Sequence, residues 1–408
     1  MHGSLEPSRP HADGRIRVLL LLANWIGGGA ERVAAHLVNR LDPEQFDTRL
    51  GLLNANGPYL DEIPASQVIV APQADRFGSY GKPNRELFSV RTLVGGAINA
   101  PRAFRHMVNE VQPDVVMSFL KGTAVLTWLA LMGNSPRPRW IAREGNNVLA
   151  VADQESPNDL VKSLSLGLTR RAYRRADRVL CNSTDMATGL VGDLSLDPAG
   201  IRMINNPIDI AGIQSTCHAP FPGAPARPYI LSAGRLEYQK AHEVLIRAYA
   251  QSGIWRSHTL VILGKGSRLG ELHRLAATLG VGEYVRFIGF VANPYAWMAR
   301  AELIVQPSRW EGFPTVAAEA QACGTPLLLT DCAFGTRDIV QHGVNGELVP
   351  VDDVPALAAA MARLIGDPAL RARLAAAAQE HVKRFNIDAM VASYADLFSE
   401  WAPQRVAA

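Results

Sequence analysis

Apolar residues in this chain fall into short unbroken runs, each closed by a glycine- or proline-bearing turn and followed by apolar positions at helical spacing. The first run, 15–22, reads Arg-Ile-Arg-Val-Leu-Leu-Leu-Leu. A run without polar alternation is a strand buried on both faces, as in a parallel sheet covered by helices. Gly27-Gly28-Gly29-Ala30-Glu31 then opens a helix in which Val33, Leu37 and Leu41 repeat at helical spacing. Further strand-like runs occupy 48–53, 115–118, 140–143, 178–182 and 201–205, with helical patterns near 86–111, 121–133, 157–176 and 184–192. This alternation predicts a doubly wound α/β domain over 15–206. Residues 207–228, rich in Pro, Gly and Ala without period, predict a linker. A second series begins at 229–233 and continues at 259–263, 285–288, 303–306, 327–330 and 347–349, predicting a second α/β domain over 229–385. Alanine- and leucine-rich helices fill 353–399, and the last falls in a tail, 386–408. The polar segment 1–14 is expected to be a flexible leader.

Composition supports two ordinary globular domains: 408 residues, 48% hydrophobic and 19% charged. A net charge of +3 gives no footing for a nucleic-acid binder, and the excess of base lies wholly in residues 1–205, with 23 Lys and Arg against 20 Asp and Glu. Cys181, Cys217, Cys323 and Cys332 have no zinc or redox spacing and read as reduced thiols of a cytosolic protein. The longest apolar run, 123–133, is short of the ~18 residues that a membrane span needs. Residues 16–23 follow two arginines as a signal peptide would, but Asn-Trp-Ile-Gly-Gly-Gly-Ala-Glu-Arg follows instead of a small-residue cleavage site. A buried first strand is the better reading.

The chemistry concentrates in Ser308-Arg-Trp-Glu311-Gly312-Phe313-Pro314-Thr315 and its continuation to Glu319. Gly312 and Pro314 break the strand, and Thr315 is expected to N-cap a helix carrying Glu319. Backbone N–H groups of Phe313 to Val316 would then face outward at a helix start, where an anion is welcome. Two carboxylates and an anion site on one strand–loop–helix corner suit a ligand with both hydroxyls and phosphate, such as a sugar nucleotide. The turn Gly234-Arg235 to Lys240 follows the second domain's first strand. Arg and Lys on one glycine turn can neutralise a diphosphate without metal, the guanidinium gripping two oxygens and the ammonium adding a point charge. Gly264-Lys265-Gly266 follows the next strand but does not complete a dinucleotide fingerprint, because Gly270 falls one residue late. Each pattern alone is weak.

Together they resemble glycosyltransferase family 4. Glu311, seven residues and Glu319, framed by E-G-F-P and A-C-G-T-P, is similar to that family's E-x7-E signature. Arg235 to Lys240 resembles its G-R-(four residues)-K, 264–266 its G-x-G, and Val285-Arg-Phe-Ile-Gly-Phe290 its strand beside the donor base. Ile204-Asn-Asn-Pro-Ile-Asp209 matches its domain-crossing N-P-x-D, and Gly28, Gly29 and Glu31 match its G-G-A-E-R turn. The six matches come in order across 16–350. The resemblance implies a GT-B fold, an α/β architecture of two Rossmann-like doubly wound domains facing across a cleft. The N-terminal one would bind acceptor and the C-terminal one the nucleotide sugar, with the tail helix crossing back.

By the same resemblance, Arg235 and Lys240 are donor-diphosphate ligands that stabilise the departing charge, Glu311 faces the donor sugar's hydroxyls, and Glu319 holds the ribose diol. Phe313, Pro314 and Thr315 would shape the donor loop, and Gly264, Gly266, Phe290, Gly28 and Gly29 would line the donor. No D-x-D pair of aspartates exists, so no metal and no cofactor is required, with a UDP-sugar (or GDP-sugar) as co-substrate. By the resemblance, the sugar would be transferred with retained anomeric configuration, the leaving phosphate oxygen accepting the acceptor's proton. The expected activity is transfer of a hexose or N-acetylhexosamine to a saccharide or polyprenyl-diphosphate-linked acceptor.

Two departures bear on the acceptor. Met117-Ser-Phe-Leu-Lys121 lacks the His that many members carry there, and Arg143-Glu144-Gly145-Asn146 only partly resembles an S-E-R-N motif of enzymes that extend lipid-linked or polysaccharide chains. Glu144, Asn146, Arg170, Arg171 and Arg174 are the acceptor-side candidates. Segment 160–178 carries six cations, among leucines, and suits an anionic membrane surface or a pyrophosphate-bearing acceptor; a plainly solvated helix face is the other reading. The expected location is the cytoplasm, with or without peripheral attachment to the plasma membrane's inner face. A non-catalytic nucleotide-sugar-binding protein and a nucleotide-sugar 2-epimerase are the competing functions.

Overall fold

The computed structural model describes residues 11, 13–25, 28–55, 60–71, 90–134, 136–220, 223 and 225–401. Most of the 1–14 leader, Gly27, the start of the helical pattern at 86–111 and the end of the 386–408 tail lie outside them. The chain divides into two compact units. The first holds Met1–Asn182, Met186–Pro207 and Asp388–Ala408, and the second holds Ser183–Asp185 and Ile208–Ile387.

The first unit is built on a parallel sheet of seven strands: β1 (Ile16–Asn24), β2 (Phe46–Asn54), β3 (Val68–Val70), β4 (Val115–Phe119), β5 (Arg139–Arg143), β6 (Arg178–Cys181) and β7 (Ile201–Met203). Their order is β3-β2-β1-β4-β5-β6-β7. Val18 to Leu22 of β1 are buried on both faces, which is why that run shows no polar alternation. The short edge strand β3 and the helix Val148–Glu155 were not legible in the pattern. β3 is half-exposed, so it carries no sustained apolar signal beyond its own three residues. From the far end of the chain, the helix Ile387–Ser399 supplies Phe398, which packs edge-on against Phe46 at 6.3 Å.

The second unit has six parallel strands, β8 (Tyr229–Ala233), β9 (Thr259–Leu263), β10 (Val285–Gly289), β11 (Leu303–Gln306), β12 (Leu327–Thr330) and β13 (Glu347–Val349), in the order β10-β9-β8-β11-β12-β13. Alternate side chains feed two cores. Ile230, Leu260, Ile262, Leu303, Val305 and Leu328 enter one, and Leu231, Val261, Leu263, Ile304, Leu327 and Leu329 the other. Each buried Leu or Ile is worth about 1.5–3 kcal/mol, so a one-residue slip of a central strand would exchange two packed faces at prohibitive cost. The stretch 207–228 contains a seven-residue helix, Ile210–Thr216, whose N-cap Asp209 accepts from the N–H of Gly212 at 3.0 Å and whose Ile213 is buried. Gly212 and the lack of period hide it in the sequence.

Strand order in the second unit reverses between β8 and β11. The chain steps outward through β9 and β10, then returns to β8's other side. Connections leave the strand ends in opposite directions at such a point and open a crevice at the carboxyl ends. The loops after β8 and β11 are the ones that carry Arg235, Lys240 and Glu311.

Candidate active site

Three loops at the carboxyl ends of neighbouring strands are laced together through the main chain. Gly234 N–H donates to Leu263 O at 3.0 Å, Leu236 N–H to Lys265 O at 3.0 Å, and Gly264 N–H to Gly289 O at 2.7 Å. These bonds need close approach. A β-carbon on Gly264, at φ +127°, would stand 1.9 Å from the Gly234 carbonyl oxygen, and one on Gly266 would stand 2.4 Å from that of Leu236. The two glycines are thus required by the meeting of loops, and Phe290, 47% exposed, follows directly from the third loop.

Lys240 and Glu311 meet at this corner. Lys240 Nζ lies 2.5 Å from Glu311 Oε1, and the Ser308 hydroxyl donates to the same oxygen at 2.6 Å. Oε2 of Glu311 has no hydrogen-bond partner among the described residues. Arg235 is exposed, and its Nη2 donates to Gln239 Oε1 at 3.3 Å. The loop after β11 is held from behind: Glu311 N–H reaches Ala333 O, and Gly335 fits so tightly that a β-carbon there would come within 2.4 Å of Gly312 O. Burial pushes the thiol of the neighbouring Cys332 up to about 12, and the Glu311 carboxylate adds to the effect.

Glu319 is buried on the helix Thr315–Ala322, and the Tyr295 hydroxyl donates to its Oε1 at 3.3 Å. The expected N-cap is corrected. Pro314 occupies that position and Thr315 is the first helical residue, its N–H already taken by Phe313 O at 2.8 Å. Proline's fixed φ lets it end the loop itself, so the anion-facing amides left by this turn exclude that of Thr315. Phe313 is buried edge-on against Phe385 at 5.2 Å, so it anchors the loop in the core from below, and Pro314 is buried beside it.

In the first unit, Gly28 precedes the helix Gly29–Arg40, and the Glu31 carboxylate folds back over it, 2.8 Å from where a Gly28 β-carbon would stand. Glu144 is enclosed. Its Oε1 accepts from the N–H groups of Gly145 (2.8 Å) and Asn146 (2.9 Å), and its Oε2 accepts from Tyr173 Oη at 2.5 Å. Burial raises its pKa above the usual carboxylate range, against those three bonds. Asn146 Oδ1 accepts from Asn147 N–H at 2.9 Å. Arg170 and Arg174 donate to the carbonyls of Asp193 (3.4 Å) and Ser195 (3.0 Å), and both Arg171 and Arg174 are exposed.

Sequence reasoning missed three side chains of the corner. Ser308 fixes Glu311, Gln239 bridges two loops, and Arg309 bonds Tyr238 O at 2.8 Å while pairing with Glu243. All three lie inside the quoted motifs, but nothing in their spacing distinguishes them from filler. Arg143, almost wholly buried, was also missed as an organiser: it donates to Tyr394 Oη (2.9 Å) and Asn206 Oδ1 (2.6 Å), tying β5 to the C-terminal helix.

Two parallel doubly wound sheets, the second with Arg235, Lys240 and Glu311 on the loops at its switch point, are those of a GT-B glycosyltransferase. Residues 27–211 match the family described as Glycosyltransferase Family 4, and residues 219–381 match that described as Glycosyl transferases group 1. The chain belongs to glycosyltransferase family 4. It is 30% identical over 361 residues to the N-acetylgalactosamine-N,N'-diacetylbacillosaminyl-diphospho-undecaprenol 4-alpha-N-acetylgalactosaminyltransferase of Campylobacter jejuni, covering 88% of this chain and 93% of that one. It is 27% identical to the lipopolysaccharide core biosynthesis glycosyltransferase LpsE of Rhizobium meliloti, covering 91% and 96%. Among solved structures, Anabaena HepE in complex with UDP and glucose superposes with a TM-score of 0.75 at 22% identity, covering 95% of this chain and 100% of that one. The protein is a glycosyltransferase of glycan or lipid-linked oligosaccharide biosynthesis.

Proposed function

We propose that the protein is a retaining, metal-independent transferase that moves a hexose or N-acetylhexosamine from a UDP-sugar to a saccharide carried on a polyprenyl diphosphate. The observation that carries this reading is the corner at the β8–β11 switch point, where Lys240 is locked to Glu311 and Arg235 faces solvent without a carboxylate partner among the described residues. In this reading Arg235 and Lys240 take up charge on the departing diphosphate, a contribution of about 2.7–4 kcal/mol for a well-placed donor. Glu311 offers Oε2 to the sugar's hydroxyls, and Glu319 grips the ribose. The acceptor hydroxyl attacks the anomeric carbon on the face the diphosphate leaves, the carbon–phosphate-oxygen bond breaks, and the proton passes to the leaving oxygen. Glu311 is fixed by Lys240 and Ser308, which suits a static ligand better than a nucleophile that must swing.

UDP is favoured because the superposing HepE structures hold UDP, with glucose or as UDP-glucose. A lipid-linked acceptor is favoured because the Campylobacter relative is named for one. The helix Asp159–Tyr173 supports attachment to an anionic bilayer: Leu160 (69%), Leu164 (59%) and Leu168 (43%) are exposed on one stripe that ends in Arg171. Arg171, Arg174 and Arg175 are exposed at and just beyond its end, a positive cluster that anionic lipid complements and a second copy would repel. Among the described residues no helix is long and apolar enough to cross a membrane.

The test is incubation with labelled UDP- and GDP-sugars and a panel of polyprenyl-diphosphate saccharides, with and without EDTA. Transfer with retained configuration that survives EDTA is the expected result. No turnover with any donor would favour a binding protein, a strict Mn²⁺ requirement would contradict the metal-free mechanism, and epimerised donor would mark a 2-epimerase.

A further inference from the structure

Gln239 is buried between Tyr238 and Lys240 and is bonded on three sides. Its Oε1 accepts from Arg235 Nη2 at 3.3 Å, its Nε2 donates to the Trp310 carbonyl at 2.9 Å, and its own carbonyl accepts from Arg309 N–H at 2.8 Å. Only an NH₂ group can face the Trp310 carbonyl, so the amide's oxygen end is left for the guanidinium. A carboxylate here would set an acceptor against that carbonyl and would also form an ion pair with Arg235. The second effect matters more. Among the described residues Gln239 is the guanidinium's hydrogen-bond partner, so the charge stays uncompensated, in contrast to that of Lys240.

The loops do not depend on Gln239 alone. Arg309 crosses outside it, donating to Tyr238 O, pairing with Glu243 Oε1 at 2.8 Å and stacking its guanidinium 3.9 Å from the Tyr238 ring centre. Removing the Gln239 side chain would therefore leave the loops joined while releasing Arg235 from Trp310.

We propose that Gln239 is a positioning residue, a neutral amide that sets the Arg235 guanidinium and the Trp310–Glu311 segment in register while leaving the arginine's charge free for the donor's diphosphate. This rests on the reading of Arg235 as a diphosphate ligand. The experiment titrates the full chain with UDP, UMP, GDP and GMP by calorimetry, for wild type, Gln239→Ala, Gln239→Glu and Arg235→Ala, with unfolding midpoints as a check on folding. For the diphosphate that wild type binds, Gln239→Glu is expected to weaken binding about tenfold or more, and Gln239→Ala about two- to fivefold. The corresponding monophosphate should change by about twofold or less, because Arg235 is needed chiefly by the second phosphate.

Binding of the diphosphate within twofold of wild type in both Gln239 variants, alongside a clear loss in Arg235→Ala, would overturn this proposal and leave the diphosphate site intact. Equal losses for mono- and diphosphate would also overturn it, marking general loosening. Wild-type binding by Arg235→Ala would instead remove the underlying site. If Gln239→Glu unfolds early, Gln239→Ala carries the same comparison without a buried charge.

Discussion

Lys240 and Glu311 stand 71 residues apart in the sequence and 2.5 Å apart in the fold. Their contact explains why neither residue type alone signals a site: each takes its setting from the other, and Glu311 also from Ser308. Removing Lys240 would leave Glu311 with an uncancelled charge in a largely buried position and, in the proposed mechanism, would take one cation from the leaving group. Removing Glu319 would take away a buried acceptor already oriented by Tyr295. We expect Lys240→Ala and Glu319→Ala each to lower kcat/KM a hundredfold or more, ~2.7 kcal/mol of transition-state stabilisation, in steady-state assays with the active donor. Near-wild-type rates in either variant would remove that residue from the site. Both residues were legible because they sit in dense local motifs. Gln239 and Ser308, in the same motifs, were not, because their roles depend on a partner loop that the sequence does not place.

At the scale of elements, central strands were read correctly to within a residue or two because burial on both faces writes itself as an uninterrupted apolar run. β8, β9, β11, β12 and β13 have the bounds expected from the pattern. The signal fails where burial is partial or the element is short, as for β3, the helix Val148–Glu155 and the helix Ile210–Thr216. Glycines show the same division. Gly264 and Gly266 stand out in sequence as a G-x-G after a strand, but only the fold shows the backbone that crowds them, whereas a β-carbon on Gly192 would meet nothing within 4 Å. Gly264→Ala and Gly266→Ala are expected to destabilise by about 2 kcal/mol or more, seen as a lowered denaturation midpoint together with lost nucleotide binding. Gly192→Ala, inside the helix Thr184–Leu194, should be neutral or raise stability by up to about 1 kcal/mol. Equal midpoints for all three would mean that the loop contacts give way freely.

Over the whole molecule, one architecture is used twice, and the charge is not shared evenly between the halves. The basic excess of residues 1–205 includes the cations around the helix Asp159–Tyr173, where three leucines also remain exposed. We expect the protein to pellet with vesicles containing anionic lipid and not with neutral ones, and salt to weaken the association. Leu164→Glu together with Leu168→Glu should reduce pelleting about tenfold without altering nucleotide binding, since both residues belong to the first unit and the proposed diphosphate ligands to the second. Equal partitioning onto neutral and anionic vesicles would leave the helix a solvated surface. By itself the sequence determined the fold class, the buried strands and the family, since these depend on local periodicity and on motifs contiguous in the chain. Only the tertiary structure decided which atoms meet, because strand order is set by packing both faces of a sheet at once. That packing, and no local pattern, brings the loop after β11 against the loop after β8, pairs Lys240 with Glu311, and leaves Arg235 facing outward.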